Sequence, residues 1–280
     1  MIELPRHLSL EVTARCNHAC PFCYGVWHER PELAGEDLPT EAWEEILEEC
    51  ARRGVKDVQF TGGEPLLRGD LERLIDRARA AGMKTAVYTN ASLLDEARLE
   101  GFKRRRTRLS TSLPGLASYG EMTGTGREPW GVLEAVTRAA ELGWPMGVGI
   151  TIARPNLGEA ADLVAAALLA GAAVVQVGVA MWEGRMKERE EWMLSAGEWE
   201  AAKAAMRKVP AGKTRVVFAD EFFCACREQP GDPGEHWPSP GPCPAGRTFG
   251  VIGPTGKFRR CLHTLEEVEW RGGSAVKREK

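Results

Sequence analysis

Polar and apolar residues alternate one by one in short stretches along this chain. His7-Leu8-Ser9-Leu10-Glu11-Val12-Thr13 is the first, and a period of two is that of a strand. Further strands are predicted at Asp57 to Thr61, Lys84 to Thr89, Arg108 to Leu113, Gly147 to Ala153 and Val174 to Ala180. Between them the apolar spacing lengthens to that of helices. One helix opens at Pro39-Thr40, with Thr40 as N-cap and Trp43, Ile46 and Leu47 on one face, and ends at Gly54. Others are predicted over Leu71 to Ala81, from Leu93, over Val132 to Leu142, and from Asn156 to Ala170. Six β/α repeats imply a parallel sheet with crossover helices. The expected α/β fold is a partial (β/α)6 TIM-like barrel, because eight units are needed to close a full one.

After Trp182 the pattern changes. A helix is read over Trp192 to Lys208 and a strand over Arg215 to Phe223. A Pro/Gly-rich stretch, Gln229 to Pro244, precedes a hairpin of Phe249 to Gly253 and Lys257 to Cys261 around Pro254-Thr255-Gly256. The chain thus divides into a core at 1–182, a connecting helix and strand at 183–223, a small cysteine-bearing extension at 224–270 and a polar tail at 271–280.

Composition narrows the function classes. A chain of 280 residues with 43% hydrophobic content is long enough for a full core. The net charge of −3 exerts no global pull toward nucleic acid. The basic run Lys103 to Arg108 has no interleaved aromatics and reads as a solvated connection. Neither a signal core nor an apolar span is seen, so a cytoplasmic protein without membrane partners is expected. Eight cysteines in such a chain favour metal ligation over disulfides.

Three of those cysteines fall in Cys16-Asn17-His18-Ala19-Cys20-Pro21-Phe22-Cys23, directly after the first strand. Thiolates are the protein ligands of iron–sulfur clusters, although zinc or disulfides also use clustered cysteines. The second signal is Gly62-Gly63-Glu64-Pro65 at the end of the second strand. There the glycines permit close backbone approach and Glu64 offers an acceptor. Asn90 ends the third strand and Ser112 lies near the end of the fourth, at the carboxyl edge where ligands of such sheets sit.

The CxxxCxxC spacing with its aromatic, together with the Gly-Gly-Glu-Pro turn, resembles the radical S-adenosylmethionine (SAM) superfamily. The resemblance implies a [4Fe-4S] cluster held by Cys16, Cys20 and Cys23, its fourth iron chelated by SAM. It assigns Gly62, Gly63 and Glu64 to the SAM amino group, Ser112 to a SAM contact, Arg138 to the SAM carboxylate, and Phe22 and Tyr24 to the adenine. Asn90 belongs to the same set. Packing remains a competing role for Tyr24, and a solvated helix position for Arg138. The implied chemistry is reductive cleavage of SAM to a 5′-deoxyadenosyl radical that abstracts a substrate hydrogen.

Cys224, Cys226, Cys243 and Cys261 form a second set. Twelve residues separate Cys243 from Gly256 and four separate Gly256 from Cys261. This resembles the opening of the SPASM extension, which carries auxiliary clusters. With no cysteine after Cys261, the shorter Twitch arrangement with one auxiliary [4Fe-4S] cluster is expected, completed by Cys224 and Cys226. One of that pair could be free, and a structural zinc or a disulfide is the alternative.

Ser112-Leu113-Pro114-Gly115, Tyr119, Met122-Thr123-Gly124 and Trp130 resemble the corresponding segment of SPASM peptide-modifying enzymes. The resemblance implies a peptide substrate, crosslinked or oxidised at a side chain, and an electron donor such as flavodoxin or ferredoxin. The radical motif starts at residue 16, so no leader-binding domain is expected before it. Either a separate protein recognises a leader peptide or the substrate is a small molecule, as in Twitch-type dehydrogenases. A non-catalytic iron–sulfur carrier or scaffold is the alternative of another class, and Gly62-Gly63-Glu64 argues against it.

Overall fold

The computed structural model describes residues 3–218 and 245–271. Its strands are β1 (His7–Thr13), β2 (Asp57–Gly62), β3 (Lys84–Thr89), β4 (Arg108–Ser112), β5 (Gly147–Ile152), β6 (Val174–Val179), β7 (Arg215–Phe218), β8 (Phe249–Ile252) and β9 (Phe258–Arg259). Its helices are α1 (Thr40–Arg52), α2 (Leu71–Ala80), α3 (Glu96–Arg104), α4 (Tyr119–Thr123), α5 (Trp130–Glu141), α6 (Ala160–Leu169) and α7 (Ala196–Met206). The strands form one open sheet in the order β7-β6-β5-β4-β3-β2-β1-β8-β9. All pairings are parallel except the β8–β9 hairpin. This is the expected partial barrel, enlarged at both edges. The predicted C-terminal hairpin does not stand apart: β8 pairs with β1, from His7 against Phe249 to Leu10 against Ile252.

Strand alternation sorts the two faces. Leu8, Leu10 and Val12 of β1 pack with Trp43, Ile46 and Leu47 of α1 and Leu74 and Ile75 of α2. Val148, Ile150 and Ile152 of β5 and Val175 and Val177 of β6 pack with Val132 and Val136 of α5, Leu163 and Val164 of α6, and Trp199 of α7. The intervening positions face the concave side and are polar or small. Ser9 hydrogen-bonds Gln59 there, and β5 offers Gly147, Gly149 and Thr151. The helices bury the apolar face, which supplies the main driving force.

Local details correct two readings. Thr40 does not cap α1: its hydroxyl donates to Asp70 Oδ2 at 2.6 Å, and Pro39 occupies the cap position. An N-cap side chain would have satisfied a free N–H of its own helix, but this hydroxyl instead ties α1 to the start of α2. The helix expected from Asn156 begins at Ala160, preceded by a 3₁₀ segment, Arg154–Glu159. Asn156 is buried because its side chain bonds Ala153 N, Pro114 O and Thr151 O at 2.8, 2.6 and 2.8 Å. The basic run is absorbed locally: Arg105 pairs with Glu72 and Asp76, Arg104 with Glu100, and Lys103 caps the Leu142 carbonyl. Among the described residues no helix is long and apolar enough to cross a membrane.

The two ends of the chain are tied by a buried ion pair. Arg259 of β9 is fully buried and bonds Glu11 on the concave face of β1. Burial raises the Glu11 carboxyl to about 7 against the pull of the guanidinium. Arg259→Met should therefore cost roughly 3–5 kcal/mol by leaving a carboxylate buried alone, and Glu11→Met with Arg259→Met should recover most of it. Urea unfolding of the three proteins checks this; equal midpoints for the single variant and the parent would refute it.

Candidate active site

The carboxyl ends of the strands carry the predicted chemistry. Cys16 is exposed, and Cys20 and Cys23 are half-buried. Burial pushes all three thiols up, Cys20 to about 12 with the other two thiols adding to the rise. The loop is fastened on three sides. Asn90 Nδ2 donates to Asn17 Oδ1, and Asn17 Nδ2 to Ser92 Oγ, each at 2.8 Å. Ala19 N bonds Thr123 O at 2.9 Å. Arg185 N bonds Cys23 O at 3.0 Å.

The glycine turn packs against the end of β1. Gly62 has φ +127°, and a Cβ on it would lie 2.2 Å from Thr13 O. A Cβ on Gly63 would lie 2.1 Å from Arg15 O. The close approach they permit is between the ends of β1 and β2, sealed by Gly63 N to Thr13 O at 2.7 Å and Glu64 N to Arg15 O at 2.8 Å.

Glu64 is fully buried. Its Oε1 accepts from Leu66 N at 2.9 Å and Thr89 Oγ1 at 2.7 Å, and its Oε2 accepts from Asn90 N at 2.7 Å. Burial raises its pKa, and these donors oppose the rise. An ionised carboxylate has about four acceptor positions, and three of them are taken. Most of this side chain's capacity joins the β2 turn to the end of β3.

Other predicted residues divide. Ser112 is exposed at the end of β4. Phe22 is half-buried against Met122, Ala153, Ala180, Met186 and Trp192, with Trp182 beside it. This apolar nest lies past the ends of β5 and β6. Tyr24 turns toward the C-terminal segment, its ring 5.4 Å edge-on from His263, which favours its packing role. Arg138 lies exposed on α5, paired with Glu134 one turn earlier at 2.6 Å, the solvated helix position that the sequence also allowed. Cys261 is half-buried just after β9. Cys224, Cys226 and Cys243 lie outside the described residues.

Asn17, Ser92, Thr89 and Arg185 were missed. Their partners lie 25 to 75 residues away where side chains are concerned, and no periodicity reports such distances. Asn17 and Arg185 had one available signal each: a position between two cysteines, and a cation just beyond the sixth strand.

The donor set suits an iron–sulfur cluster. Soft thiolates select such metals, and their raised pKa values mean that assembly must expel protons. His18 Nε2 is buried beside them without a hydrogen-bond partner, a polar atom that a cluster or its ligand would satisfy. Among the described residues no three His, Cys, Asp or Glu side chains converge enough to hold a metal ion as they stand.

Comparison with known proteins agrees with the geometry. A family model described as the radical SAM superfamily matches residues 10–166. The PqqA peptide cyclase of Granulibacter bethesdensis is 29% identical over 273 residues, covering 95% of this chain and 70% of the relative. That of Gluconobacter oxydans is 29% identical, covering 94% and 72%. Streptococcus suis SuiB bound to precursor peptide SuiA superposes with a TM-score of 0.68 at 18% identity, covering 94% of this chain and 62% of SuiB. Native anSMEcpe with bound AdoMet gives 0.69 at 14% identity, covering 93% and 75%. The chain thus spans less than two thirds of the length of SuiB, and these structures support the fold.

Glu64→Gln keeps the shape but turns a donor toward Asn90 N–H or Leu66 N–H. The expected cost is about 2 kcal/mol of stability, read by denaturant unfolding. An unchanged midpoint would mean that the carboxylate does not join β2 to β3.

Proposed function

The chain belongs to the radical SAM superfamily, and on that premise we propose that it modifies a peptide side chain by crosslinking or oxidation. The observation that carries the reading is the fastening of a three-thiol loop to Glu64 and Asn90 at one edge of an open parallel sheet. When bound there, a reduced four-iron cluster and SAM supply an electron and a 5′-deoxyadenosyl radical that removes a hydrogen atom from the substrate. Cys16, Cys20 and Cys23 hold the cluster. Glu64, with the backbone around Gly62 and Gly63, receives the amino group of SAM. The apolar nest around Phe22 takes the adenine and excludes water from it. Ser112 faces the same edge from β4.

A peptide is favoured over a small alcohol because the sequence relatives are peptide cyclases and the superposed SuiB holds a precursor peptide. The concave face carries polar or small side chains, which suits an extended backbone with its own hydrogen-bonding groups. Cys261, with cysteines outside the described residues, holds an auxiliary cluster. The electron comes from a flavodoxin- or ferredoxin-like carrier, and a thiolate-held cluster suits a reducing compartment such as the cytoplasm.

Three measurements test this. The reconstituted, reduced protein is expected to release 5′-deoxyadenosine, and Cys20→Ala to release none above background. Normal release by that variant would overturn the cluster assignment. Iron should be about eight per chain from two four-iron clusters, falling to about four in Cys261→Ala. For the substrate, peptides encoded beside the gene should lose two hydrogens at an internal residue located by fragmentation. Turnover of small alcohols alone would reject the peptide.

A further inference from the structure

Parallel strands joined by crossover helices all begin at one edge of their sheet, so the residues that start them gather there. Here that amino edge is basic. Arg6 precedes β1, Lys56 precedes β2, Lys84 opens β3, and Arg106 and Arg108 sit at the start of β4. They are neighbours across the sheet. Lys56 N donates to Arg6 O and Lys84 N to Lys56 O, each at 2.8 Å, and Arg108 stands in register with Ala86 of β3. Four adjacent strands span about 14 Å at ~4.8 Å per step. Arg215, at the start of β7, extends the set.

All six side chains are exposed. Among the described residues no carboxylate pairs with Arg6, Lys56, Lys84, Arg106 or Arg215. Arg108 meets Asp57 Oδ1 only at 3.6 Å, and His7 lies 3.3 Å from the other oxygen of that carboxylate. Asp57 and the exposed Glu3 leave these cations in excess. On the helices, by contrast, arginines are matched: Arg73 with Glu44, Arg77 with Glu48 and Arg105 with Asp76. The whole chain carries a net charge of −3, so the basic edge is a matter of placement and not of composition. It also adjoins the C-terminal extension. β9 runs antiparallel to β8, so the chain after Arg259 heads back toward the amino edge. Leu262, next to Cys261, lines a cavity of about 190 Å³ together with His7, Asp57 and Arg108.

We propose that this amino edge is the docking surface for an acidic electron-carrier protein. The inference rests on the cluster reading above. A carrier seated here leaves the carboxyl edge to SAM and substrate, and it lies beside the segment that bears Cys261. The reduced carrier gives up one electron and a cluster of the chain accepts it, with no bond broken and no proton moved. Unpaired cations steer an acidic partner from a distance, and they lose that pull as salt shortens the Debye length. A nucleic acid would be held by aromatic platforms as well, and the exposed Trp130 starts α5 at the opposite edge.

The test titrates a purified acidic flavodoxin against the reconstituted full chain by calorimetry at low ionic strength. Lys56→Glu with Lys84→Glu should raise the dissociation constant about tenfold, and the difference should shrink at about 0.5 M salt. Arg30→Glu with Arg189→Glu makes the same charge change in exposed loops beyond the carboxyl ends of the strands and should bind as the wild type does. With dithionite as reductant, the first variant should release 5′-deoxyadenosine at the wild-type rate. With limiting reduced flavodoxin, its rate should fall about tenfold. Equal affinity of that variant and the wild type, or an equal loss in both variants, overturns the proposal. So does a wild type that binds polyglutamate or RNA but not flavodoxin. If the first variant also loses the dithionite-driven rate, Lys56→Gln with Lys84→Gln decides. Weaker flavodoxin binding with that rate intact supports the surface, and any other result overturns it. No dithionite-driven release by the wild type would overturn the cluster reading instead, while the affinities still decide the surface.

Discussion

The arrangement depends on how closely the backbone leaving β1 lies against the backbone leaving β2. No side chain fits between them, since a Cβ on Gly62 or Gly63 would fall 2.1–2.2 Å from a carbonyl oxygen, well inside van der Waals contact. With glycine at both positions, two short backbone hydrogen bonds seal the gap. Residues 14–16 then emerge at a fixed place and direction. Glu64 follows at once and spends three acceptor positions on its own 3₁₀ turn and the end of β3. One turn thereby locks three strand ends. The cysteine loop inherits that rigidity through Asn17 and Asn90, which a radical reaction needs if its first hydrogen abstraction is to be directed.

Folding and function use opposite faces of the same strands. A closed eight-unit barrel fills its interior with branched side chains. Here the branched set points outward to the helices. The concave positions carry Ser9, Gln59, Gly149 and Thr151, too polar or too small to make a core. The concave side is thus lined by polar and small groups rather than by a second apolar core. Substrate recognition can therefore vary along the concave positions while the outer layer maintains the sheet.

This division explains what the sequence disclosed. The first six strands appear within a residue of their expected ends because the alternation that builds them is local. The cysteine loop and the glycine turn were legible as motifs. What escaped was every tertiary choice. Thr40 looked like a cap, yet Asp70, thirty residues away, took its hydroxyl. Glu64 looked like a ligand group, yet its first obligation is to neighbours on another strand. Arg138 looked like a carboxylate partner, yet a glutamate one turn away holds it on the helix surface. The parallel pairing of β8 with β1 joins residues more than 240 positions apart, and no window of local pattern reports it.

That last pairing changes what the C-terminal extension is for. A hairpin on a tether would leave the barrel indifferent to it. Here β8 extends the sheet at its β1 edge, and β9 sends Arg259 beneath it to Glu11. Four residues beyond the hairpin, His263 reaches Tyr24, one residue past the third cysteine of the loop. The extension thus touches β1 at its middle and the loop at its far end. Cys261 lies between those two contacts in sequence, so a group held there would be coupled mechanically to the cysteine loop. A metal bound there would stiffen Tyr24 and the turn after Cys23 through packed side chains, and the same contacts would carry any disturbance of the extension back to the site.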